Sequence, residues 1–362
     1  MSTTRRDLLR LRTALLAVTA TVFVGSLAAF TGVTSTAKDA AARSAPAVLE
    51  VMAARAALVH ADSAAMTSFR TGQAKLVGPG AQYQNQIAIA SQNLARVAEH
   101  NAAGESASRT LQLVEGLVVA YGRGIGDADA SFRADGPTPL TVAALWYASG
   151  LMHGRESGIV AQLDELAVAQ RTALETELSE GWMNPAGSLV WLVPIAVLLG
   201  LLVVAQFFGA RRFRRKLNPA LVVATLLVLL VAGATSSVFF SQDRADVAGA
   251  TLGKVVSQSK TQTDADALNG KRELEKVLAP HCGECGESVS AFKAGLGGEA
   301  SSGGDTVQRE VANGAIQVDN ELDSADRSGF LEYFIPLGTV AIAALVLVGL
   351  RRGIDEYRYG AT

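Results

Sequence analysis

Two long apolar runs, Ser188 to Gly209 and Ala220 to Phe240, flank the short basic segment Ala210-Arg211-Arg212-Phe213-Arg214-Arg215-Lys216. A helix needs roughly 20 apolar residues to cross about 30 Å of hydrocarbon. Each run supplies that length, so both read as transmembrane helices. The loop between them carries Arg211, Arg212, Arg214, Arg215 and Lys216 with no acidic residue, which by the positive-inside bias assigns it to the cytoplasm. The rest of the chain hangs outward from this hairpin.

Two further apolar runs, Thr13 to Gly32 and Leu331 to Leu350, bring the expected spans to four. Arg5, Arg6, Arg10 and Arg12 precede the first, and Arg351, Arg352 and Arg358 follow the last. With the central loop these segments hold 12 of the 32 basic residues, against Asp7, Asp355 and Glu356 among 34 acids. The surplus of cations at three points alternates with two acidic intervening regions, so both termini are expected in the cytoplasm. A cleavable signal peptide is the rival reading of residues 13–32, since Ala28 and Ala29 suit a peptidase, but the run exceeds the usual length of a signal core. The expected layout is a cytoplasmic N-terminus over 1–12, spans at 13–32, 188–209, 220–240 and 331–350, and a basic loop at 210–219. Extracytoplasmic regions at 33–187 and 241–329 and a cytoplasmic tail at 351–362 complete it. About half of the residues are hydrophobic, yet mean hydropathy is only mildly positive, as suits a few spans carrying large polar regions. No basic domain supports nucleic-acid binding.

The first outer region reads as four helices. From Lys38 an Ala-rich stretch continues to Gly78-Pro79-Gly80. A second stripe, Tyr83, Ile87, Ala90, Leu94 and Val97, alternates spacings of four and three, the mark of one buried helical face, and ends at Asn101 to Gly104. Leu111, Val114, Val118, Tyr121 and Ile125 repeat the pattern up to Asp135-Gly136-Pro137-Thr138-Pro139. A fourth helix is expected from Leu140 to about Gly181, with Ile159, Leu163, Leu166, Gln170 and Ala173 on one face. Short turns between four helices define an up-down antiparallel bundle. At 1.5 Å per residue the first and fourth helices span roughly 60 Å and the middle pair about 30 to 40 Å, giving a four-helix head on a two-helix stalk. Up-down order then puts the turn Gly78, Pro79, Gly80 beside the turn Asp135, Gly136, Pro137, Thr138, Pro139 at the membrane-distal tip, the expected docking surface for a partner. The second outer region reads as a second helical hairpin. It is helical to about Leu278, turns over Pro280 to Gly286, has a Gly- and Ser-rich loop over Gly295 to Gly304, and returns through Val307, Val311, Val318 and Leu322. Trp182, Trp191, Phe239, Phe240, Phe330, Tyr333 and Phe334 fall at the outer ends of the spans, where aromatic belts belong.

The two cysteines lie in His281-Cys282-Gly283-Glu284-Cys285. In an oxidising exterior the favoured reading is a small Cys282–Cys285 disulfide that stiffens the turn. Redox chemistry would want a βαβ setting, and zinc would want a fourth ligand beyond Cys282, Cys285 and His281. Gly122-Arg123-Gly124-Ile125-Gly126 superficially suggests a phosphate loop, yet it follows no strand and sits within a helical stripe, so helix packing is expected. His60, His100 and His153 stand apart from any recognisable nucleophile or paired acid, and exposed or capping roles are expected for them. Arg70, Gln84, Gln86, Arg96, Arg123 and Tyr147 have the polarity to line a small-molecule site between helices, although solvated faces account for them more simply. With no hydrolase, metalloprotease or kinase signature the chain reads as a non-enzyme needing no cofactor or metal. Gln206 and hydroxyls such as Thr235, Ser236 and Ser237 are the polar interruptions of the spans, whose cores lack the charges that mark ion paths.

A helical head continuing into membrane helices is similar to the sensing half of bacterial chemoreceptors and sensor kinases, which however carry a large cytoplasmic domain. Four spans, a larger first and smaller second helical outer region and minimal basic internal segments together resemble the actinobacterial GlnX membrane sensors. The resemblance rests on architecture over the whole chain, with no diagnostic motif. It implies a role between an extracytoplasmic amino-acid-binding lipoprotein, GlnH, and a cytosolic serine/threonine protein kinase, PknG. The expected protein is therefore an all-α, four-span membrane signal transducer whose partners are the lipid bilayer, a GlnH-like lipoprotein and a PknG-like kinase. Homo-oligomerisation is left open, and a direct small-molecule receptor and an envelope scaffold are the alternatives.

Overall fold

The computed structural model describes residues 3–179, 185–213, 219–239, 242–281, 287–294, 296 and 336–348. Among them the elements are α1 (Thr3–Asp39), a π-helical turn (Ala40–Ser44), α2 (Ala45–Arg70), α3 (Ala74–Val77), α4 (Ala81–His100), α5 (Gly104–Asp135), α6 (Pro139–His153) and α7 (Ile159–Ser179). There follow α8 (Pro185–Phe213), α9 (Pro219–Phe239), α10 (Gln242–Leu278), α11 (Glu287–Ala294) and a helix α12 over 336–348. The described residues thus make an all-helical protein, and the chain divides into two compact units. One comprises Met1–Lys38, Glu177–Val247 and Glu321–Thr362, and the other Asp39–Thr176 with Ala248–Asn320.

The first unit has an apolar core of Leu15 and Val22 from α1, Ile195, Leu198 and Leu202 from α8, Leu221, Ala224 and Val228 from α9, and Ile342 and Val346 from α12. Its outward residues are apolar too: Val24, Val197, Val203, Phe207, Leu226, Leu230 and Val340 are all exposed. A helix that is apolar on every side lacks a face suited to water. Gln206 is the polar tie, donating from Nε2 to Leu221 O at 3.1 Å and to Thr225 Oγ1 at 2.7 Å across the α8–α9 contact. Among the described residues no helix is long and apolar enough to cross a membrane. Of the boundary aromatics, the side chains of Trp182, Trp191, Phe239, Phe240, Phe330, Tyr333 and Phe334 lie outside the described residues. So do Cys282, Cys285, the loop over 297–304, the return segment over 307–322, and Arg214, Arg215 and Lys216. Arg211 and Arg212 close α8.

The second unit is built around α2. Of its 26 residues, 16 are buried, whereas α4 buries only four of 20. α2 lies largely inside the bundle, with only Ala53 and Arg70 of its residues exposed. Its small residues, among them Ala54, Ala57, Ala61 and Ala65, let neighbouring backbones approach closely, and α4 is its most intimate partner. The anticipated stripes face the core: Tyr83, Ala90, Leu94 and Val97 on α4, and Leu111, Val114, Tyr121 and Ile125 on α5. Gly124 belongs to helix packing, because a Cβ there would stand 3.3 Å from Ala148 Cβ on α6.

Four local features depart from the expected bundle. The first long helix stops at Arg70 and passes through Thr71 to Gln73 into the single turn of α3. α5 has 32 residues, about 48 Å at 1.5 Å each, and so exceeds the 30 to 40 Å expected of a middle helix. The fourth helix is broken into α6 and α7 at Gly154 to Gly158. A Cβ on Gly158 would lie 2.4 Å from Gly154 N, so the chain doubles back too tightly there for any side chain. Finally, α10 packs against the bundle. Leu274 and Leu278 join the core around α2, and a Cβ on Gly270 would meet Ser63 Cα at 3.4 Å. Because Leu58 at the centre of α2 is wholly buried, Leu58→Ala should cost about 2–5 kcal/mol, read as a lowered denaturation midpoint.

Candidate functional site

Helix α2 carries two ionisable residues on its buried stripe, Arg55 and Asp62, seven positions apart and each about 1% exposed. Charges so placed must be paired, because an uncompensated ion in a protein interior is costly. Asp62 receives the Tyr121 hydroxyl from α5 on Oδ1 at 3.1 Å and His153 Nε2 from α6 on Oδ2 at 3.0 Å. A carboxylate only accepts, so His153 carries its proton on Nε2. Tyr83 of α4 lies next to this group, its ring 6.4 Å from that of Tyr121. Burial, reinforced by the Asp62 charge, pushes the Tyr83 phenol up to about 12 and holds the Tyr121 phenol well above its ordinary value. Lys271 of α10 feels the same region: burial lowers its ammonium, while Asp62 and Asp264 oppose that effect.

Arg55 links α2 to two other helices. Its Nε lies 2.9 Å from Asp164 Oδ1 of α7, outside hydrogen-bond alignment, and its Nη2 bonds Asp264 of α10. Lys260 of α10 reaches the other oxygen of Asp164 at 3.1 Å. Farther along, His60 meets Asp266 at 3.0 Å and Arg70 pairs with Glu273. Burial works to raise the Glu273 carboxyl, but Lys276 and Arg70 outweigh it and hold it below the usual range. A ladder of ion pairs and one histidine–carboxylate hydrogen bond therefore fastens α10 along α2.

The histidines are consequently not isolated, contrary to the expectation from sequence. His60 pairs with Asp266, His153 with Asp62, and His100 Nδ1 with Glu50 Oε2 at 3.0 Å, each bridging α2 to another helix. Spacing along the chain hides them because their partners are 50 to 206 positions away. The available signal was the charge on the apolar stripe: Arg55 and Asp62 fall in phase with Val48, Val51, Leu58 and Phe69.

The two expected docking turns lie at the same end of the bundle. Gly78 and Gly80 take positive φ, 68° and 95°, and Ser68 Oγ donates to Gly78 O at 3.0 Å. A Cβ on Gly78 would approach Arg133 Nη2 to 3.1 Å and Asp129 Oδ1 to 3.4 Å, so this turn rests on the last turns of α5. Three residues beyond Arg133, Gly136 at φ 77° opens the second turn. Thr138 then caps α6 by accepting from Thr141 N at 3.3 Å, with Pro139 at the first helical position. Asp135, Pro137, Pro139 and Leu140 are exposed there, as are Leu76 and Val77 beside the first turn. Of the polar residues singled out from sequence, Arg123 and Tyr147 line one cavity of about 520 Å³ with Asp127 and Leu140. Arg70 is taken by Glu273, while Gln84, Gln86 and Arg96 lie along α4. Among the described residues no cluster of three or more His, Cys, Asp or Glu is arranged to hold a metal.

Residues 36–179 match the family model described as the actinobacterial sensor domain. The match supports a sensor domain of actinobacterial type in this segment, which spans α2 to α7. No curated protein and no solved structure matches the chain.

The phenols imply a defined alkaline limit. Folding raises the Tyr83 value from 10.0 to about 12, so it favours the neutral form. The resulting stabilisation is present in full below pH 10 and is lost as the pH rises towards about 12. Helical circular dichroism and tyrosinate absorbance should therefore change together over that interval, whereas free phenols would titrate before the helices melt.

Proposed function

We propose that the chain is a four-span membrane sensor of the GlnX type that relays an extracytoplasmic cue to a cytoplasmic serine/threonine kinase and performs no catalysis itself. The observation that carries this reading is the sensor-domain match over 36–179, bracketed by the apolar runs 13–32 and 188–209. Bilayer insertion is supported by the exposed apolar residues of the first unit and by the three basic clusters that alternate with acidic regions. The cue is the docking of a GlnH-like solute-binding lipoprotein on the paired turns at 78–80 and 135–139. The exposed Leu76, Val77 and Leu140 flanking these turns supply apolar contact area. Small displacements of packed helices are the established means of such relay. A kinase of the PknG type would read the result at the basic loop and the termini, on the cytoplasmic side.

Two measurements test this. Single cysteines at Ser2, Ser241 and Thr362, in a chain whose Cys282 and Cys285 are replaced, should react with an impermeant thiol reagent in intact cells at Ser241 alone; labelling at Ser2 or Thr362 overturns the topology. Thr138 caps α6, so the docking variant is better built from the exposed Asp135 and Leu140. Asp135→Lys with Leu140→Lys should abolish recovery of the solute-binding lipoprotein with the full chain from native membranes and leave helix content unchanged. Undiminished recovery would move docking away from these turns.

A further inference from the structure

Beside the first docking turn, α2, the turn from α3 to α4 and α10 enclose a cavity of about 460 Å³, inside the ordinary range of small-molecule sites. Its walls are polar: Ser63 and Thr67 of α2, Gln73 and Gln82 at the rim, and the His60–Asp266 pair, with Pro79 closing one side. Among the described residues no hydrogen bond engages the side chains of Ser63, Thr67, Gln73 or Gln82. Asp266 uses Oδ2 for His60 Nε2 at 3.0 Å, and Oδ1 has no partner among the described residues. Nε2 donates to this carboxylate, which only accepts, and Oδ1 is left to accept from a further donor. No Lys or Arg lines the cavity.

We infer that this cavity is a binding site for a small hydroxylated primary amine. The ammonium, with three donors, would take the open Oδ1 of Asp266, a charge-assisted bond in a half-buried setting. The hydroxyls of such a ligand match Ser63, Thr67 and the two amides, which both donate and accept. An anion, or a free amino acid with its carboxylate, would find no cation among the lining residues and is disfavoured. Because Asp266 belongs to α10 and Ser63 and Thr67 to α2, the bound amine would bridge the two helices and tighten the ladder that joins them. Occupancy would thus be read by α10, which lies outside the segment matching the sensor family. The inference shares with the proposed function only the reading of the bundle as a sensor.

The test uses the full chain in lipid nanodiscs, with thermal unfolding and calorimetric titration against glucosamine, N-acetylglucosamine and glutamine. Glucosamine should raise the melting temperature and bind, whereas the N-acetylated sugar, which keeps the hydroxyls but loses the cation, and glutamine should not. Asp266→Asn should weaken glucosamine by about tenfold or more, and Thr67→Val, which keeps the shape and removes one hydroxyl, by several-fold. Equal binding of the N-acetylated sugar, unchanged affinity in Thr67→Val or Asp266→Asn, or no response to glucosamine overturns the assignment. Should Asp266→Asn fail to fold, Thr67→Val and the comparison of the two sugars decide alone. Amine binding without recovery of any lipoprotein would defeat the docking reading and leave this site standing; lipoprotein recovery without amine binding would do the reverse.

Discussion

The second unit depends on enclosing one helix that carries charge. α2 is largely buried, and Arg55 and Asp62 sit on its apolar stripe, so the surrounding helices are obliged to present groups that satisfy them. α5 and α6 answer Asp62 with Tyr121 and His153, and α7 and α10 answer Arg55 with Asp164 and Asp264. An all-apolar α2 in the same bundle would tolerate neighbours sliding along or rotating about it. Paired charges admit one register, and the geometry of each pair fixes which residue of each neighbour stands opposite α2. The cost of burying these groups is offset only while all partners are in place.

That dependence explains which parts of the structure were legible in the sequence. Helices whose apolar residues recur at spacings of three and four, such as Tyr83 to Val97 and Leu111 to Ile125, show their inner face directly, because a one-sided stripe is a local property. The two Gly- and Pro-containing turns were equally visible. The break between α6 and α7 was not: Gly154 and Gly158 flank Arg155, Glu156 and Ser157 inside a stretch otherwise suited to a helix, and only the close approach of the two glycines forces the turn. Least legible was α10, whose polar composition gives no hint of a buried partner. Its attachment rests on Asp264, Asp266 and Glu273 meeting Arg55, His60 and Arg70 some 200 positions earlier, information that periodicity does not contain. The histidines were misjudged for the same reason.

A sensor needs a core firm enough to transmit displacement and at least one contact soft enough to yield. The apolar contacts of α2 with α4 are of the first kind, since close-packed small side chains leave no room for rearrangement. The outer part of the α2–α10 contact is of the second: in the His60–Asp266 and Arg70–Glu273 pairs, His60, Asp266 and Arg70 are about a third exposed, so these two pairs contribute modestly and can be exchanged for a ligand or for water, unlike Arg55–Asp264 with its buried guanidinium. Placing a polar cavity beside this contact, and not within the α2–α4 seam, puts any occupant where a small free-energy change has the largest structural effect.

The unit is also discontinuous in the chain, formed by Asp39–Thr176 and Ala248–Asn320. During synthesis α2 to α7 leave the ribosome well before α10 exists, and they can collapse only with Arg55 lacking Asp264 and with the surface that receives Leu274 and Leu278 open. Domains generally fold as units when their last segment emerges, and exposed apolar surface in the interval invites misassembly. Biogenesis of this protein should therefore have a waiting state. A fragment ending near residue 179 would be arrested in it, with an uncompensated guanidinium as its weakest point.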